Sequence, residues 1–380
     1  MRASAGRILT THVGSLPRSQ AVTDVLFGRE RGDIADPAAA AAVIRDAVAE
    51  VVERQVRTGI DVVSDGETSK ISYATYIADR FAGFGGDTPR EPGQDLVEFP
   101  RFMAKLAASG ATAKYRRPRC VGEIALKDSR PLETDLANFR RAVDAAKPGE
   151  AFMNAASPGV LALFQPNDWY PTQDAYLEAL GEAMRAEYEA IVGAGFLLQV
   201  DAPDFGMGRH TMYRSASAGE YLSAAARHVE VLNHALRNLP ADRMRMHICW
   251  GNYEGPHHLD IPLEQLLPVV VKAKPQALLF EAANPRHAHE WSVFTRQRVP
   301  EHKVLVPGVL STTTNYVEHP ELVAERILRF ADIVGRERVI AGTDCGFGTF
   351  GGFGPVDPDI VWMKLGSLVE GARIASSRLF

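Results

Sequence analysis

Cysteine is scarce, with three in 380 residues. Three scattered thiols cannot staple a disulfide framework, so they read as reduced thiols of a cytoplasmic protein. Long apolar runs are missing as well. None reaches the ~20 residues that span a bilayer, and the N-terminal MRASAGRILTTHVGS holds no signal-peptide core. Nor is positive charge in excess: 42 Lys and Arg stand against 47 Asp and Glu, a net −5. That balance argues against a nucleic-acid surface and a polybasic membrane patch. What the chain does have is apolar residues in short stretches, 46% of the whole, enough for a large core.

From residue 151 onward these stretches alternate with helical patterns. Strands are expected at 151–159, 196–203, 244–251, 277–285, 303–310 and 339–347. Between them lie segments such as QDAYLEALGEAMRAEYEAIVGAG and PELVAERILRFADIVG, with apolar residues at helical spacing. Upstream, ILTTHVGSLPR leads to a helix around 38–58, and DVVSDGE (61–67) follows it. Apolar strands between amphipathic helices imply a parallel sheet. About eight such units imply a (β/α)8 TIM barrel, a single domain over 1–380, with a doubly wound open sheet as the other solution. Residues 68 to about 130 break the rhythm. Rich in Gly, Pro and charge, they read as an excursion inserted after the second strand, with RCVGEIAL (119–126) as a strand inside it. A homo-oligomer is compatible with this layout.

Barrel enzymes keep their chemistry at the C-terminal ends of the strands. Here those ends carry Ser15, Glu67, Asp201, His247 with Cys249, Glu281, and Asp344 with Cys345. Residues two apart on a strand share a side, so His247 and Cys249 can face the barrel mouth together. Glu281 ends the following strand and Cys345 the last. One imidazole, one carboxylate and two thiolates can form a tetrahedral zinc site. A His-X-Cys strand also arises as a packed core pair, with cysteine as apolar filler, and spacing alone does not choose between the two. Cys120 falls at no strand end and reads as structural. GFGTFG (346–351) matches a G-X-G-X-X-G pattern, but it follows the last strand instead of opening a βαβ unit. It reads as a loop over the mouth, with Asp357 capping the final helix. His287 and His289 read as the start of the helix after the Glu281 strand.

The motifs THVGSLPR, DGE (65–67), HICWGNYEGPHH, FEAANPRHAHEW and GTDCGFG resemble the C-terminal catalytic domain of cobalamin-independent methionine synthase. They look still more like its stand-alone relatives, among them the epoxyalkane:coenzyme M transferases. The resemblance covers nearly the whole chain. It implies a barrel and a catalytic Zn2+ held by His247, Cys249, Glu281 and Cys345. Zinc coordinates thiolate, so a substrate thiol held there is a nucleophile at neutral pH, ready for an alkyl donor. In the methionine synthases, the counterparts of Glu67 and Asp201 hold the amino group of homocysteine. The GSLP segment, here with Gly14 and Ser15, holds its carboxylate.

Three departures from the methionine synthases follow. The chain has no room for their N-terminal half, which helps bind polyglutamyl folate. GVLSTTTNY sets Ser311 and Thr313 where an acid pair with a catalytic histidine would stand. FQPNDWYP lacks the Trp-Ser-Phe folate-stacking pattern, although Phe164 and Trp169 can stack. SYATYI, MGRH and NHALRNLPADR look more like the epoxide branch. The leading expectation is therefore coenzyme M thiolate opening an epoxide to a 2-hydroxyalkyl product; the alternative is transfer from a methyl donor to homocysteine. A sulfonate would call on Arg18, Lys70, Arg209, Arg214 or Arg286, and the ring-opened alkoxide on a proton from Tyr316, His257 or His258. A metal-free barrel that binds small acids and a zinc hydrolase are the remaining readings.

Overall fold

The computed structural model describes residues 1–89, 91–108 and 115–380. The chain opens with strand β1 (Leu9–Thr10), helices α1 (Gln20–Arg31) and α2 (Pro37–Thr58), and strand β2 (Val62–Val63). A stretch of different character follows: β3 (Phe81–Gly85), α3 (Gln94–Val97), α4 (Pro100–Ala108) and β4 (Arg119–Leu126). Helix α5 (Arg130–Ala146) then restores the alternation through β5 (Glu150–Ala156), α6 (Pro158–Phe164), α7 (Gln173–Gly193), β6 (Leu197–Asp201) and α8 (Ala218–Ala235). It continues through β7 (Met244–His247), α9 (Leu263–Val270), β8 (Ala277–Phe280), α10 (Val293–Arg296) and β9 (Val304–Pro307). The last elements are α11 (Pro320–Val334), β10 (Ile340–Ala341) and α12 (Pro358–Leu379).

Local chemistry sets these boundaries. Asp36 accepts hydrogen bonds from the Ala38 and Ala39 amides just before Pro37, and Gly59 ends the same helix in the left-handed region. Ser217 and Glu220 form a capping box on α8. Asp357 caps α12 through the Asp359 and Ile360 amides, as its position in the sequence suggests.

The strands β5 to β9 are buried along almost their whole length, as parallel strands covered on both faces must be. Six strands pair in parallel in the order β2-β5-β6-β7-β8-β9, and β1 pairs in parallel with β10. Single bridges join the two sets: Thr11 to Val62 on one side, Leu305 to Val339 and Gly308 to Gly342 on the other. Pairing thus passes around all the parallel strands and returns to β1. An open doubly wound sheet would leave two bare edges; this α/β fold has the form of a TIM-like barrel. Among the described residues no helix is long and apolar enough to cross a membrane.

Between β2 and α5 the chain leaves the parallel sheet, and β3 and β4 pair antiparallel beside it. Arg80 anchors this stretch from within. Its guanidinium lies 2.7 Å from both Asp135 of α5 and Glu187 of α7, all three side chains being nearly buried. The strands are shorter than their apolar runs suggest: within 244–251 the strand spans only Met244–His247, and within 339–347 only Ile340–Ala341, flanked by the single bridges at Val339 and Gly342.

Candidate metal centre

His247 is the last residue of β7, and Cys249 follows two positions later; Cys345 comes shortly after β10. These three buried side chains bring their ligand atoms within 4.8 Å of one another. The two sulfurs are 3.8 Å apart. Tetrahedral zinc with Zn–S bonds of about 2.3 Å separates two sulfurs by about that distance. Burial pushes the His247 imidazole down to about 4, so it is neutral and has a lone pair to give. Cys249 is held well above the ordinary thiol range, first by Cys345 and then by burial. Cys249 thus resists ionising unless a cation joins it. Neutral imidazole, paired sulfurs and their spacing all fit zinc.

Glu281 follows β8 and lies beside Cys249 but outside that trio. Its Oε1 accepts from the Trp250 amide at 2.8 Å and its Oε2 from the Asn284 side chain at 2.6 Å. Burial, followed by the nearness of Cys249, drives its carboxyl well above the usual range. Asp344 ties down the same turn by accepting from the amides of Ala282, Ala283 and Asn284, each at 2.8 Å. Gly206 lets the β6 loop sit against the cluster. A Cβ there would stand 2.3 Å from the Cys249 carbonyl oxygen, a backbone atom that cannot swing aside. Gly206→Ala is expected to weaken zinc binding by about tenfold or more, read by competition with a chromogenic chelator. Unchanged affinity would show that the loop does not support Cys249.

The cluster opens into a cavity of about 1540 Å³. Its polar end presents Ser15, Glu67 and Asp201 beside the cluster. Asp201 ends β6 and accepts from Asn154 and Gln199, at 2.9 and 2.8 Å. Glu67 sits at φ 53, with its Oε2 buried and without a hydrogen-bond partner among the described residues. Burial raises both carboxyls, and the charge of Asp201 raises Glu67 further. The outer walls are apolar: Leu96, Met103, Leu106 and Tyr115 from the stretch between β2 and α5, with Tyr73, Phe164 and Phe350 facing them. Tyr73 stacks on Phe350 with centroids 5.8 Å apart.

Several expected contacts fall elsewhere. Trp169 is 57% exposed and does not line the cavity. Arg18 also lies off the wall; it donates to the Glu67 and Gly348 carbonyls and so braces the Glu67 turn. Gly14 makes room instead of contact, since at φ 147 a Cβ would strike the Asn154 side chain. Tyr316 reaches only the rim, 84% exposed. Of the cations named for a sulfonate, only Arg214 lines the cavity, and it is paired with Glu91. Lys70 donates to the Asn154 carbonyl, Arg209 to that of Tyr213, and Arg286 approaches that of His258. His258 pairs with Glu98 at the surface. Cys120 is buried away from the cluster, as expected.

The sequence reading missed a second buried group. Asp260 gathers His210, His257 and His287, and His287 also meets Glu290. No spacing signal links residues so far apart in the chain, and His287 had read as the start of a helix. Burial opposes charge on His287, but Asp260 and Glu290 outweigh it and push the imidazole up to about 10. A folded value raised from 6.5 gives stability that is complete below pH 6.5 and is lost as pH climbs through about 10. The melting temperature is expected to fall by about 5 °C or more between pH 7 and 10, and His287→Gln to flatten that slope. Parallel melting curves against pH for the two proteins would remove this role.

Residues 8–91 and 165–352 match the family described as "Cobalamin-independent synthase, Catalytic domain". A methionine synthase of Saccharolobus solfataricus is 25% identical over 375 residues, covering 97% of this chain and 95% of that one. One from Sulfurisphaera tokodaii is 22% identical over 371 residues, with 97% and 93% covered. Among solved structures, a B12-independent methionine synthase from Shewanella sp. W3-18-1, in complex with selenomethionine, superposes with a TM-score of 0.75. It is 17% identical, covering 98% of this chain and 99% of that one. A putative vitamin-B12-independent methionine synthase from Listeria monocytogenes gives 0.66 at 18% identity, covering 97% and 98%. The nearer likeness to epoxyalkane:coenzyme M transferases expected from the short motifs finds no support among these relatives. With matched segments covering more than half of its length, the chain belongs to the family of cobalamin-independent synthase catalytic domains.

Proposed function

We propose that this chain is a zinc-dependent methyltransferase that places a methyl group on the sulfur of homocysteine. It acts as one (β/α)8 barrel domain over residues 1–380, and the stretch between β2 and α5 is an insertion that roofs the site. His247, Cys249 and Cys345 would hold the metal, with Glu281 as the fourth ligand and the one that yields to a substrate. The observation that carries the substrate is Glu67. Its unpartnered buried oxygen lies in the cavity beside Asp201, while the neighbouring cations donate elsewhere. Burial pushes Glu67 up to about 8 and Asp201 to about 6; an ammonium ion supplies the countercharge that ionises them and a sulfonate does not, so homocysteine is favoured over coenzyme M.

Zinc, when bound, lowers the pKa of a coordinated thiol, so that a thiolate is available at neutral pH. The protein residues do the remainder. Glu67 and Asp201 fix the ammonium, Ser15 is placed to meet the carboxylate, and Asn154 and Gln199 keep Asp201 oriented. The apolar walls keep water from the reacting sulfur. The S–CH3 bond forms as the donor–CH3 bond breaks, the electron pair stays with the donor, and the thiol proton leaves to solvent.

Calorimetry of the zinc-loaded protein tests this reading. Homocysteine is expected to bind with release of one proton, and coenzyme M about tenfold or more weakly. The reverse order would restore the epoxide reading. Turnover of an ester or amide with no thiol present would point to a hydrolase instead, and a protein that never retains zinc to a simple ligand-binding barrel.

A further inference from the structure

The Asp260 constellation takes no part in the mechanism above. His257 Nδ1 and His287 Nε2 lie 2.9 and 3.0 Å from Asp260 Oδ2 in hydrogen bonds, and His210 Nδ1 lies 3.0 Å from Oδ1 at ion-pair distance without hydrogen-bond alignment. Counting donors assigns the charges. Both nitrogens of His287 face carboxylates, those of Asp260 and Glu290. Both nitrogens of His257 face acceptors, the Asp260 carboxylate and the Tyr253 carbonyl. Each ring therefore needs two N–H groups and is an imidazolium. Asp95 brings a third carboxylate. Its Oδ2 accepts from the Tyr253 hydroxyl at 2.6 Å and from the His257 amide at 3.2 Å. Its Oδ1 is buried with no hydrogen-bond partner among the described residues. Three carboxylates stand against two imidazoliums, and the one left without a cationic partner faces the side of the cluster where the His210 ring lies.

Of these three imidazoles only His210 lines the cavity. It is 1% exposed, and among the described residues no hydrogen bond occupies its Nε2. It lies shortly beyond Gly206 and Met207, whose backbone packs on Cys249; the Met207 amide donates to the Cys249 carbonyl at 2.9 Å. Tyr253 also lines the cavity, but its hydroxyl proton is committed to Asp95. The stretch after β9 lines the cavity with Thr313, Thr314, Asn315 and Tyr316, the last 84% exposed at the rim, and brings no imidazole to it.

We infer that His210, oriented by Asp260, is the acid that protonates the departing atom of the methyl donor. The inference rests on the methyl-transfer reading above. As the S–CH3 bond forms, the donor–CH3 bond breaks and its electron pair settles on the departing atom. That atom takes the proton from Nε2 of His210. The imidazole regains a proton from solvent, matching the one the thiol lost on binding. Asp260 lies against Nδ1 of the ring, with the His257 ring 6.5 Å away.

Two donors that differ only in what must leave provide the test, with homocysteine as acceptor and methionine as the measured product. Iodide leaving methyl iodide needs no proton; the nitrogen leaving 5-methyltetrahydrofolate does. His210→Asn keeps an N–H for Asp260, and His210→Gln serves as the second variant; zinc content, homocysteine binding and melting are recorded for both. Wild type is expected to use both donors. The variants are expected to keep the iodide rate within about twofold and to lose the folate rate by roughly 10²- to 10⁴-fold. Equal losses with both donors would make His210 structural and overturn the inference, as would a wild type that accepts methyl iodide alone. Bound homocysteine that neither donor methylates would instead take down the methyl-transfer reading itself.

Discussion

Serine at Cys249 or at Cys345 is expected to leave a folded protein that no longer retains zinc. The exchange is nearly isosteric at sites only 5% and 8% exposed, so packing changes little. The donor chemistry changes a great deal. A hydroxyl stays protonated where a thiolate forms, and it is a harder ligand than sulfur. Zinc affinity is expected to drop by more than about 100-fold, beyond what the loss of a supporting contact costs. Methionine formation should fall in parallel. Metal content after gel filtration, measured beside the rate, checks both. Cys120→Ser is the control: its sulfur is buried away from the cluster, and that variant should keep its metal. A Cys249→Ser protein that stays active without zinc would end the metal-centred reading.

The second large effect is expected at Glu67. Glu67→Gln keeps the shape and removes the carboxyl that would ionise as the proposed ammonium enters. Losing one partner of a buried charge pair costs about 2–5 kcal/mol. That corresponds to roughly 30- to several-thousand-fold in kcat/KM, at about 1.4 kcal/mol per tenfold. The signature is selectivity, not rate alone. Wild type should favour homocysteine strongly over 4-mercaptobutanoate, which has the same thiol and carboxylate but no amine, and Glu67→Gln should erase most of that preference. Asp201→Asn should act in the same direction but is less clean. Asp201 also lies 3.8 Å from Nδ1 of His247, so zinc affinity is expected to shift with it. Equal selectivity in wild type and Glu67→Gln would remove the ammonium from this end of the cavity.

The barrel's ends were legible in the sequence because its middle is so apolar. Where strands are buried on both faces, a charged residue has few places to stand, and Glu67, Asp201, His247 and Glu281 fall at or just after strand ends. The two-residue period brought His247 and Cys249 to one side. Strand length was less visible: apolar character runs on to Trp250, whereas parallel pairing stops at His247. Ligand contacts were read from residue type, and type does not report direction. Arg18 turned to backbone carbonyls and Trp169 to solvent. The partnership of Asp260 with His210 could not be read at all, because it joins two loops that meet only once the barrel forms. The coenzyme M expectation lacks support for a related reason: cations were present in the sequence, but those named for a sulfonate donate to backbone carbonyls or pair with Glu91.

The cavity's two ends come from different parts of the chain. The candidate metal ligands and Asp201 stand at or just after strands of the ring and Glu67 just past β2, whereas Leu96, Met103, Leu106 and Tyr115 lie farther along the stretch that leaves it before α5. The half that activates the acceptor is thus locked into the register of the barrel, where a shift in one strand disturbs its neighbours. The half proposed to receive the donor hangs on an antiparallel hairpin and the Arg80 anchor, outside the strands that carry the candidate ligands. A scaffold divided in this way inherits its chemistry and its clientele separately: descendants can change the molecule that delivers the alkyl group while the apparatus that sharpens the sulfur stays as it was.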